Sequence, residues 1–285
     1  MGTTITLTTD FGFTDAYVAA MKGVILGLNP EAKLVDICHT VSPQDIAGAA
    51  FVLGTAYQFF PKGTIHLVVV DPGVGSKRRA VILRTPSADF VAPDNGVLSH
   101  VLEQSSARPT EDSAADQGQR ELGPELGAFA ITNPRFWRTP VSPTFHGRDI
   151  FAPVAAHLSL GRSPADFGEK VASLAVLPLT RPHRAADGSL AGHILHVDSF
   201  GNLITDITSQ DLPPTGEPVT IEVGNRLIHG LSRTYAEGEG ILALIGSSGH
   251  LEVSVRGGSA RSLLNAEVGD EVRVCQPDAK ETEGQ

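Results

Sequence analysis

Hydrophobic positions in the first half of the chain follow two alternating periods. β-Branched and apolar runs that predict strands, such as TITLTTD at 4–10 and GTIHLVVVDPG at 63–73, are separated by segments with helical spacing. The helical segments are DAYVAAMKGVILGLNP at 15–30 and PQDIAGAAFVLGTAYQFFP at 43–61, and each ends at a proline. A strand as continuously apolar as residues 63–73 is typical of a parallel sheet covered on both faces. The pattern therefore predicts an α/β layered domain with a mostly parallel central sheet over residues 1–180.

The pattern changes at about residue 188. Short β-like runs separated by turn residues follow, with no long helix between them: HILHVDSFGNLITDI, PVTIEVGNRLIHGL, GILALIGSSGHLEVSV and EVRVCQP. They predict a smaller, all-β, barrel-like C-terminal domain over residues 188–276. Residues 105–124 are polar and without period, and are predicted to be a mobile surface insertion. Residues 277–285 are predicted to be a disordered tail.

Composition narrows the classes of partner. The 285 residues carry a formal net charge of −10 and no Lys/Arg-rich tract, so neither nucleic acid nor an anionic membrane is an expected partner. Cys38 and Cys275 lie far apart without metal-ligand spacing, and no metal site is expected. No apolar run is long enough to span a bilayer. The sequence enters TITLTTDFG without a basic, signal-like region, so a cytoplasmic protein is expected.

Three polar residues at the predicted strand ends are candidates for chemistry, each with a plain structural alternative. Asp10 follows a strand and can accept both hydroxyls of a ribose, or it can cap the next helix. Asp71 ends the most apolar strand before a glycine-rich turn, and Arg78 follows it closely enough to fold back over that turn. The alternative is an ordinary βα turn with a surface arginine pair, Arg78 and Arg79.

The stretch TFHGRDIFAP at 144–153 places His146, Arg148 and Asp149 just before an apolar, helical run. The three side chains can cap that helix, or the histidine can transfer a proton near neutral pH. In the β-rich half, Phe200 beside Asn202 can stack on a purine ring and hydrogen-bond it, or can belong to a simple hairpin.

Taken together, these segments are more specific than any one of them. TLTTDFG, DPGVGS, APDNG, FHGRDIFAPVAAHL, DSFGNLITDI and GSSGHLEVSV occur in this order, and the chain resembles the S-adenosyl-L-methionine hydroxide adenosyltransferase family from about residue 4 to 275. That family is related to the fluorinases and chlorinases. The resemblance implies a homotrimer, with ligand bound between the N-terminal domain of one subunit and the C-terminal domain of its neighbour.

The resemblance also implies roles for individual residues. Asp71, Arg78 and His146 match the trio characteristic of the hydroxide-using branch, and Asp10 matches the ribose-diol acceptor. The positions matched to binding of adenine and of the methionine moiety are Asp198 (methionine amino group), Phe200, Asn202, Tyr235, Ser247 and Ser248. The halogenases depart at two places, since the fluorinase has a serine where this chain has Gly147 and another residue type where it has Asp71.

The implied reaction is hydrolysis of S-adenosyl-L-methionine to adenosine and L-methionine. An activated water or hydroxide would attack ribose C5′ in line with the departing sulfur. S-adenosyl-L-methionine is then the substrate, and no metal or other cofactor is expected. Two alternatives stay open: a halogenase that uses chloride, and a trimer that binds adenosine or S-adenosyl-L-methionine without catalysis.

Overall fold

A computed structural model of the chain describes residues 2–105, 118–214 and 217–276. The chain divides into two compact units, Met1–Pro178 and Leu179–Gln285. The predicted tail, 277–285, and most of the predicted mobile insertion lie outside the described residues.

The first unit is built on a mixed sheet. Its strands are β1 (Thr4–Thr9), β2 (Lys33–Cys38), β3 (Thr64–Val69), β4 (Ala80–Arg84), β5 (Ala88–Pro93), β6 (Gln119–Glu121), β7 (Gly127–Ala130), β8 (Lys170–Val171) and β9 (Ser173–Ala175). Seven of them form one sheet in the order β2-β1-β3-β5-β4-β7-β8, while β6 pairs separately with β9. The end of the polar segment 105–124 is therefore built into a small sheet.

Half of this sheet is parallel and half antiparallel. Strands β2, β1, β3 and β5 pair in parallel, whereas β4 pairs antiparallel with both β5 and β7. Only residues 85–87 connect β4 to β5, and so short a connection permits a hairpin but no crossover. The predicted fold class is confirmed, with a hairpin added to the parallel part.

Helices cover both faces of the sheet. They are α1 (Tyr17–Leu28), α2 (Ile46–Ala56), α3 (Ser99–Gln104) and α4 (Ala152–Ser159). Apolar residues of α1 and α4 pack against one face, and those of α2 and α3 pack against the other. All six residues of β3 are buried, which explains the uninterrupted apolar sequence of that strand.

Helix α2 begins later than the sequence pattern indicated. We predicted an opening at Pro43, but the helix starts at Ile46 because Asp45 is its N-cap and accepts a hydrogen bond from the Gly48 N–H at 2.8 Å. Pro43 and Gln44 thus belong to the loop between β2 and α2, where they become available to the candidate site.

The second unit is an antiparallel, barrel-like sheet. Its strands are β10 (His183–Arg184), β11 (Leu190–Val197), β12 (Leu203–Thr208), β13 (Thr220–Val223), β14 (Arg226–His229), β15 (Ile241–Ile245), β16 (His250–Val255) and β17 (Glu271–Cys275). The order is β14-β13-β17-β11-β12-β16-β15, with β10 on β11. The end strands β14 and β15 come into contact, and one apolar core fills the interior. One short helix, α5 (Ala260–Leu264), follows β16.

Among the described residues, no helix combines the length and the apolar character needed to cross a membrane.

Candidate active site

Two carboxylates meet at the carboxyl edge of the parallel strands. Thr9 of β1 pairs with Val69 of β3, so Asp10 and Asp71 lie one and two residues beyond neighbouring strand ends. This edge is where open α/β sheets bind their ligands. The loop after β2 also reaches this edge, because the backbone N–H of Gln44 in that loop donates to Asp10 Oδ2 at 2.8 Å.

Arg78 links Asp71 to His146. Its Nε donates to Asp71 Oδ1 at 2.8 Å and its Nη2 donates to Asp71 Oδ2, which makes the pair bidentate. The same Nη2 lies 2.9 Å from His146 Nδ1. The side chains of Asp71 and Arg78 are only 5% and 12% exposed, and the guanidinium lies over the buried ring of Phe151, 5.2 Å from its centroid. The structure therefore brings His146 beside Asp71 and Arg78, which lie far from it in the sequence.

The glycine-rich turn after Asp71 lets Arg78 fold back. Gly75 has φ +78°, a conformation that favours glycine, and a Cβ there would lie 2.6 Å from the carbonyl oxygen of Pro143. The turn can therefore lie directly against the loop that carries His146. A side chain at residue 75 would separate the two segments that build the trio.

The contact with Arg78 fixes the protonation state of His146. A guanidinium only donates hydrogen bonds, so His146 Nδ1 must be the acceptor, and the single ring proton of the neutral imidazole is then on Nε2. Burial, and then the positive charge of Arg78, lower the pKa of His146 below its usual value. At neutral pH this histidine is an uncharged hydrogen-bond donor through Nε2.

A cavity of about 290 Å³ opens at this edge of the sheet. It is lined by Asp10, Phe11, Pro43, Gln44, Val69, Asp71, Pro72, Val74, Thr144, Phe145, His146 and Gly147. Its chemistry is mixed, since apolar and aromatic walls surround two carboxylates and one imidazole. Such a cavity can hold a sugar or another small polar group.

The other half of the FHGRD stretch serves the structure. Arg148 donates to both carboxylate oxygens of Asp149, at 2.7 and 2.8 Å, and Arg138 and the Ser142 N–H also donate to that carboxylate. The Asp149 side chain is 0% exposed. His146 makes no capping hydrogen bond at the start of the π-helical turn Gly147–Phe151. The predicted alternative of a side-chain cap for the helix is therefore wrong for His146, because its ring is turned toward Arg78.

The second unit carries the remaining predicted residues on two loops and one turn. In the loop between β11 and β12, Asp198 Oδ1 accepts the N–H groups of Phe200 and Asn202, and Oδ2 accepts the Asn202 side-chain amide at 2.9 Å. These bonds shape the loop and leave the Phe200 ring 76% exposed. Phe200 is thus presented to solvent by a rigid turn.

Tyr235 and the serine pair lie near strand β16. The Tyr235 hydroxyl donates to Glu252 Oε1 at 2.7 Å, and burial together with this carboxylate raises the pKa of Tyr235 to about 12. Ser247 and Ser248 are exposed in the turn between β15 and β16. The strand register places this turn beside the start of β16 and the Phe200 loop beside its end.

Two residues that bear on these groups were missed from the sequence. Gln44 carries no motif, and nothing in the sequence reveals that its N–H reaches Asp10. Glu252 is a buried carboxylate that also accepts from Ser254 at 2.8 Å. A charged residue inside the β-like run HLEVSV was the available signal for Glu252.

Within residues 2–105, 118–214 and 217–276, no cluster of His, Cys, Asp and Glu side chains is arranged to hold a metal ion.

The fold and the cavity define a class of protein: an α/β unit with a polar site at the strand ends, followed by an antiparallel barrel-like unit. Family models agree with both parts. The model for the S-adenosyl-L-methionine hydroxide adenosyltransferase N-terminal domain matches residues 5–168, and the model for the C-terminal domain matches residues 192–273. The chain belongs to the S-adenosyl-L-methionine hydroxide adenosyltransferase family.

Similar proteins span nearly the whole chain. The (R)-S-adenosyl-L-methionine hydrolase of Salinispora tropica is 39% identical, and the alignment covers 95% of this chain and 97% of that protein. A fluorinase of Nocardia brasiliensis is 27% identical, with 95% and 96% covered. The crystal structure of an uncharacterized conserved protein from Thermotoga maritima superposes with a TM-score of 0.83 at 34% identity, covering 95% of this chain and 100% of that one.

Proposed function

We propose that this chain hydrolyses S-adenosyl-L-methionine to adenosine and L-methionine. The oxygen of a water molecule forms a bond to ribose C5′ while the C5′–S bond breaks. The electron pair of the broken C5′–S bond stays on sulfur, which becomes the neutral thioether of methionine. One water proton leaves the oxygen. The sulfonium is already a good leaving group, so the protein has to activate the water, whose pKa is about 15.7 in bulk.

The observation that carries this proposal is the trio at the cavity. Arg78 is held by Asp71 through two hydrogen bonds and itself holds His146 through Nδ1. Asp71 and His146 both line the cavity. His146 can donate a hydrogen bond to one water molecule and Asp71 can accept one from it, on the same side of the cavity. A preorganised donor and acceptor of this kind are what activation of a nucleophile requires.

Each member of the trio receives a distinct task. Because His146 Nδ1 is occupied by Arg78, the ring offers its Nε2–H to the water oxygen and positions a lone pair toward C5′. Asp71 is the anion of the trio, and each of its oxygens keeps a further lone pair beyond its bond to Arg78, so we assign the released proton to Asp71. Arg78 keeps both partners in place and balances the charge.

Asp10 is proposed to hold the ribose. One of its oxygens is bound by the Gln44 N–H, and the remaining acceptor capacity faces the cavity that also contains Asp71 and His146. A carboxylate that accepts both ribose hydroxyls fixes the orientation of the sugar, and orientation of this kind can contribute several kcal/mol to barrier reduction. S-adenosyl-L-methionine is the substrate in this scheme, and we propose no metal or further cofactor.

We also propose that the active form is a homotrimer, with the adenine and methionine ends held by the C-terminal unit of a neighbouring copy. The candidate residues for that part are Asp198, Phe200, Asn202, Tyr235, Ser247 and Ser248. The exposed ring of Phe200 supports this assignment, because an aromatic face open to solvent can stack on adenine. Light scattering on the purified chain tests the assembly: three times the chain mass is expected, and a monomer active at the same concentration would contradict it.

The reaction itself is tested by incubation with S-adenosyl-L-methionine in ¹⁸O-water. We expect one ¹⁸O atom in the 5′-hydroxyl of adenosine and none in methionine. Unlabelled adenosine, or label in methionine, would contradict attack of water at C5′. Adenosine bound without any release of methionine would instead support a binding protein without catalysis.

The same incubation at high chloride tests the halogenase alternative. We expect no 5′-chloro-5′-deoxyadenosine, because the cavity carries Gly147 and the Arg78-bound Asp71 at the two positions where the fluorinases have other residue types. Accumulation of the chlorinated nucleoside would favour the alternative.

A cytoplasmic location is part of the proposal. Cys38 and Cys275 are both free thiols, which agrees with a reducing compartment. Cell fractionation with an antibody against the chain tests this directly, and recovery outside the cytoplasmic fraction would contradict it.

A further inference from the structure

The loop after β1 is fastened to the loop after β2 at two points. The Gly12 N–H donates to the His39 carbonyl at 2.7 Å, and the Gln44 N–H donates to Asp10 Oδ2 at 2.8 Å. Within the described ranges, Gln44 supplies the only hydrogen bond recorded to the Asp10 carboxylate. The orientation of that carboxylate therefore depends on one backbone amide.

The backbone of Gln44 is in a strained conformation. Its φ is +66°, and the other described non-glycine residue with positive φ is Asn265, whose side chain favours this region and which ends helix α5. Glutamine gains no such compensation from its side chain. Strain of this kind persists only where the surroundings enforce it, and it is concentrated at functional positions.

The flanking residues explain how the strain is enforced. Asp45 next to Gln44 is the N-cap of α2, and its own N–H donates to the Ser42 carbonyl at 3.0 Å. Helix α2 is anchored through its buried face, so the loop has a fixed end. With that end fixed, the positive φ of Gln44 directs its N–H at Asp10.

We propose that Gln44 is a positioning residue for ribose recognition, acting through its backbone N–H and its left-handed conformation. This inference rests on the proposed role of Asp10. By holding Oδ2, Gln44 sets the rotation of the carboxylate so that it accepts the 2′- and 3′-hydroxyls together. A purely structural role, in which positive φ only directs the chain into α2, makes a different prediction about ligand selectivity.

The test compares two ligands by calorimetry on the full chain: adenosine, and 2′,3′-dideoxyadenosine, which lacks both ribose hydroxyls. The wild type should bind adenosine at least about tenfold more tightly, as expected for hydrogen bonds to a charged acceptor. Gln44→Val should lose this preference, because a β-branched residue does not adopt positive φ and the N–H leaves Asp10. Gln44→Asn is the matched control and should keep it, since asparagine tolerates this conformation.

The possible outcomes distinguish the positioning role of Gln44 from the ribose-binding role of Asp10 on which it rests. If Asp10→Ala keeps the preference for adenosine, the ribose role of Asp10 is wrong and the inference fails with it. If Asp10→Ala loses the preference but a folded Gln44→Val keeps it, only the inference is overturned. If Gln44 had only a structural role, Gln44→Val would weaken the binding of both ligands equally and leave the ratio of their affinities unchanged.

Hydrogen exchange provides a readout that does not depend on a variant at residue 44. In the wild type, selectively ¹⁵N-labelled on glutamine, the Gln44 amide should exchange slowly, and in Asp10→Ala at least about tenfold faster. Equal exchange rates in the two proteins would overturn the inference even if Gln44→Val does not fold.

Discussion

Two of the bidentate arginine–aspartate pairs of the first unit differ in their surroundings. Arg78 binds both oxygens of Asp71, and Arg148 binds both oxygens of Asp149. Asp149 is fully buried, and Arg138 and a backbone N–H add further bonds to it. Asp71 instead faces a cavity, and its arginine also binds an imidazole. Asp149, whose oxygens are bound by Arg148, Arg138 and the Ser142 N–H, has a structural role, and we call this group the clamp. Asp71 lines the cavity and remains available to a ligand.

The two pairs depend on each other through the FHGRD stretch. His146 belongs to the first group and Asp149 to the second, and both lie on the same turn of chain. Burial acts to raise the pKa of Asp149, but the hydrogen bonds from Arg148 and from the Ser142 N–H outweigh it and hold the pKa below its usual value. The clamp thereby fixes the turn that presents His146 to Arg78.

The largest expected effect is at Arg78. Arg78→Ala should lower kcat by about 10³-fold, since it removes the link between Asp71 and His146 at the site of water activation. Adenosine affinity should stay within a few-fold of wild type. Steady-state kinetics with calorimetry check both, and Arg78→Lys should not restore kcat, because an ammonium cannot reproduce the planar fork. If Arg78→Ala kept the wild-type kcat, the Arg78–Asp71 pair would be as purely structural as the Arg148–Asp149 pair.

His146 is expected to contribute somewhat less, about 10²-fold in kcat for His146→Ala. It also sets a pH dependence. Because burial and the charge of Arg78 lower the pKa of His146 below its usual value, the ring is neutral at pH 7, and protonation at lower pH puts a proton on Nδ1 that opposes Arg78. Activity should therefore fall as pH drops through a pKa below 6.5. A pH–rate profile that rises between pH 7 and 6 would contradict the neutral donor.

Asp149 should behave in the opposite way. Asp149→Asn should lower the free energy of unfolding by about 3 kcal/mol, because it removes a buried, multiply bonded charge. In the molecules that still fold, the isosteric amide oxygen can accept from the Ser142 N–H and hold the turn that carries His146, so kcat per folded molecule should remain within a few-fold. Denaturant unfolding measures the change in the free energy of unfolding, and kinetics normalised to the concentration of active sites measure kcat per folded molecule.

The sign of the pH effect follows from the lowered pKa of Asp149. Its stabilising contribution is complete above the unfolded pKa, about 3.9, and is lost as pH falls through the lower folded pKa. The difference between wild type and Asp149→Asn should therefore shrink below about pH 4. A difference that grows on acidification would show that Asp149 is not the ionised centre of the clamp.

The smallest effect extends the comparison to the second unit. Phe200→Ala should raise KM by about tenfold through loss of stacking on adenine, with kcat at saturation unchanged. The ring is 76% exposed, so the melting temperature should not move. A drop in kcat with unchanged KM would assign Phe200 to the chemical step and not to recognition.

The fold was largely predictable because its signals are local. The uninterrupted apolar run of β3 indicated a strand buried on both faces, and the short β runs after residue 188 indicated an all-β unit. The antiparallel pairing of β4 with β5 was not predicted, although only residues 85–87 connect the two strands and so short a connection permits only a hairpin. The predicted start of α2 at Pro43 is wrong because the side chain of Asp45 caps the helix, so the first helical residue is Ile46.

The candidate site was predictable only in part. Asp71, Arg78 and His146 were identified through resemblance, and their mutual contacts arise from tertiary packing that no spacing encodes. The role of Gln44 depends on a backbone dihedral angle and one N–H direction. Residue identity does not report either of these, so such a role becomes visible only in three dimensions.

The central claim, that Asp71, Arg78 and His146 activate the water that attacks C5′, is tested most directly by a crystal structure with adenosine and L-methionine bound. The 5′-oxygen of adenosine is the former water oxygen. It should lie within about 3 Å of His146 Nε2 and on the cavity side of Asp71, with the ribose hydroxyls on Asp10. A 5′-oxygen far from all three side chains, with the nucleoside bound elsewhere, would contradict the account.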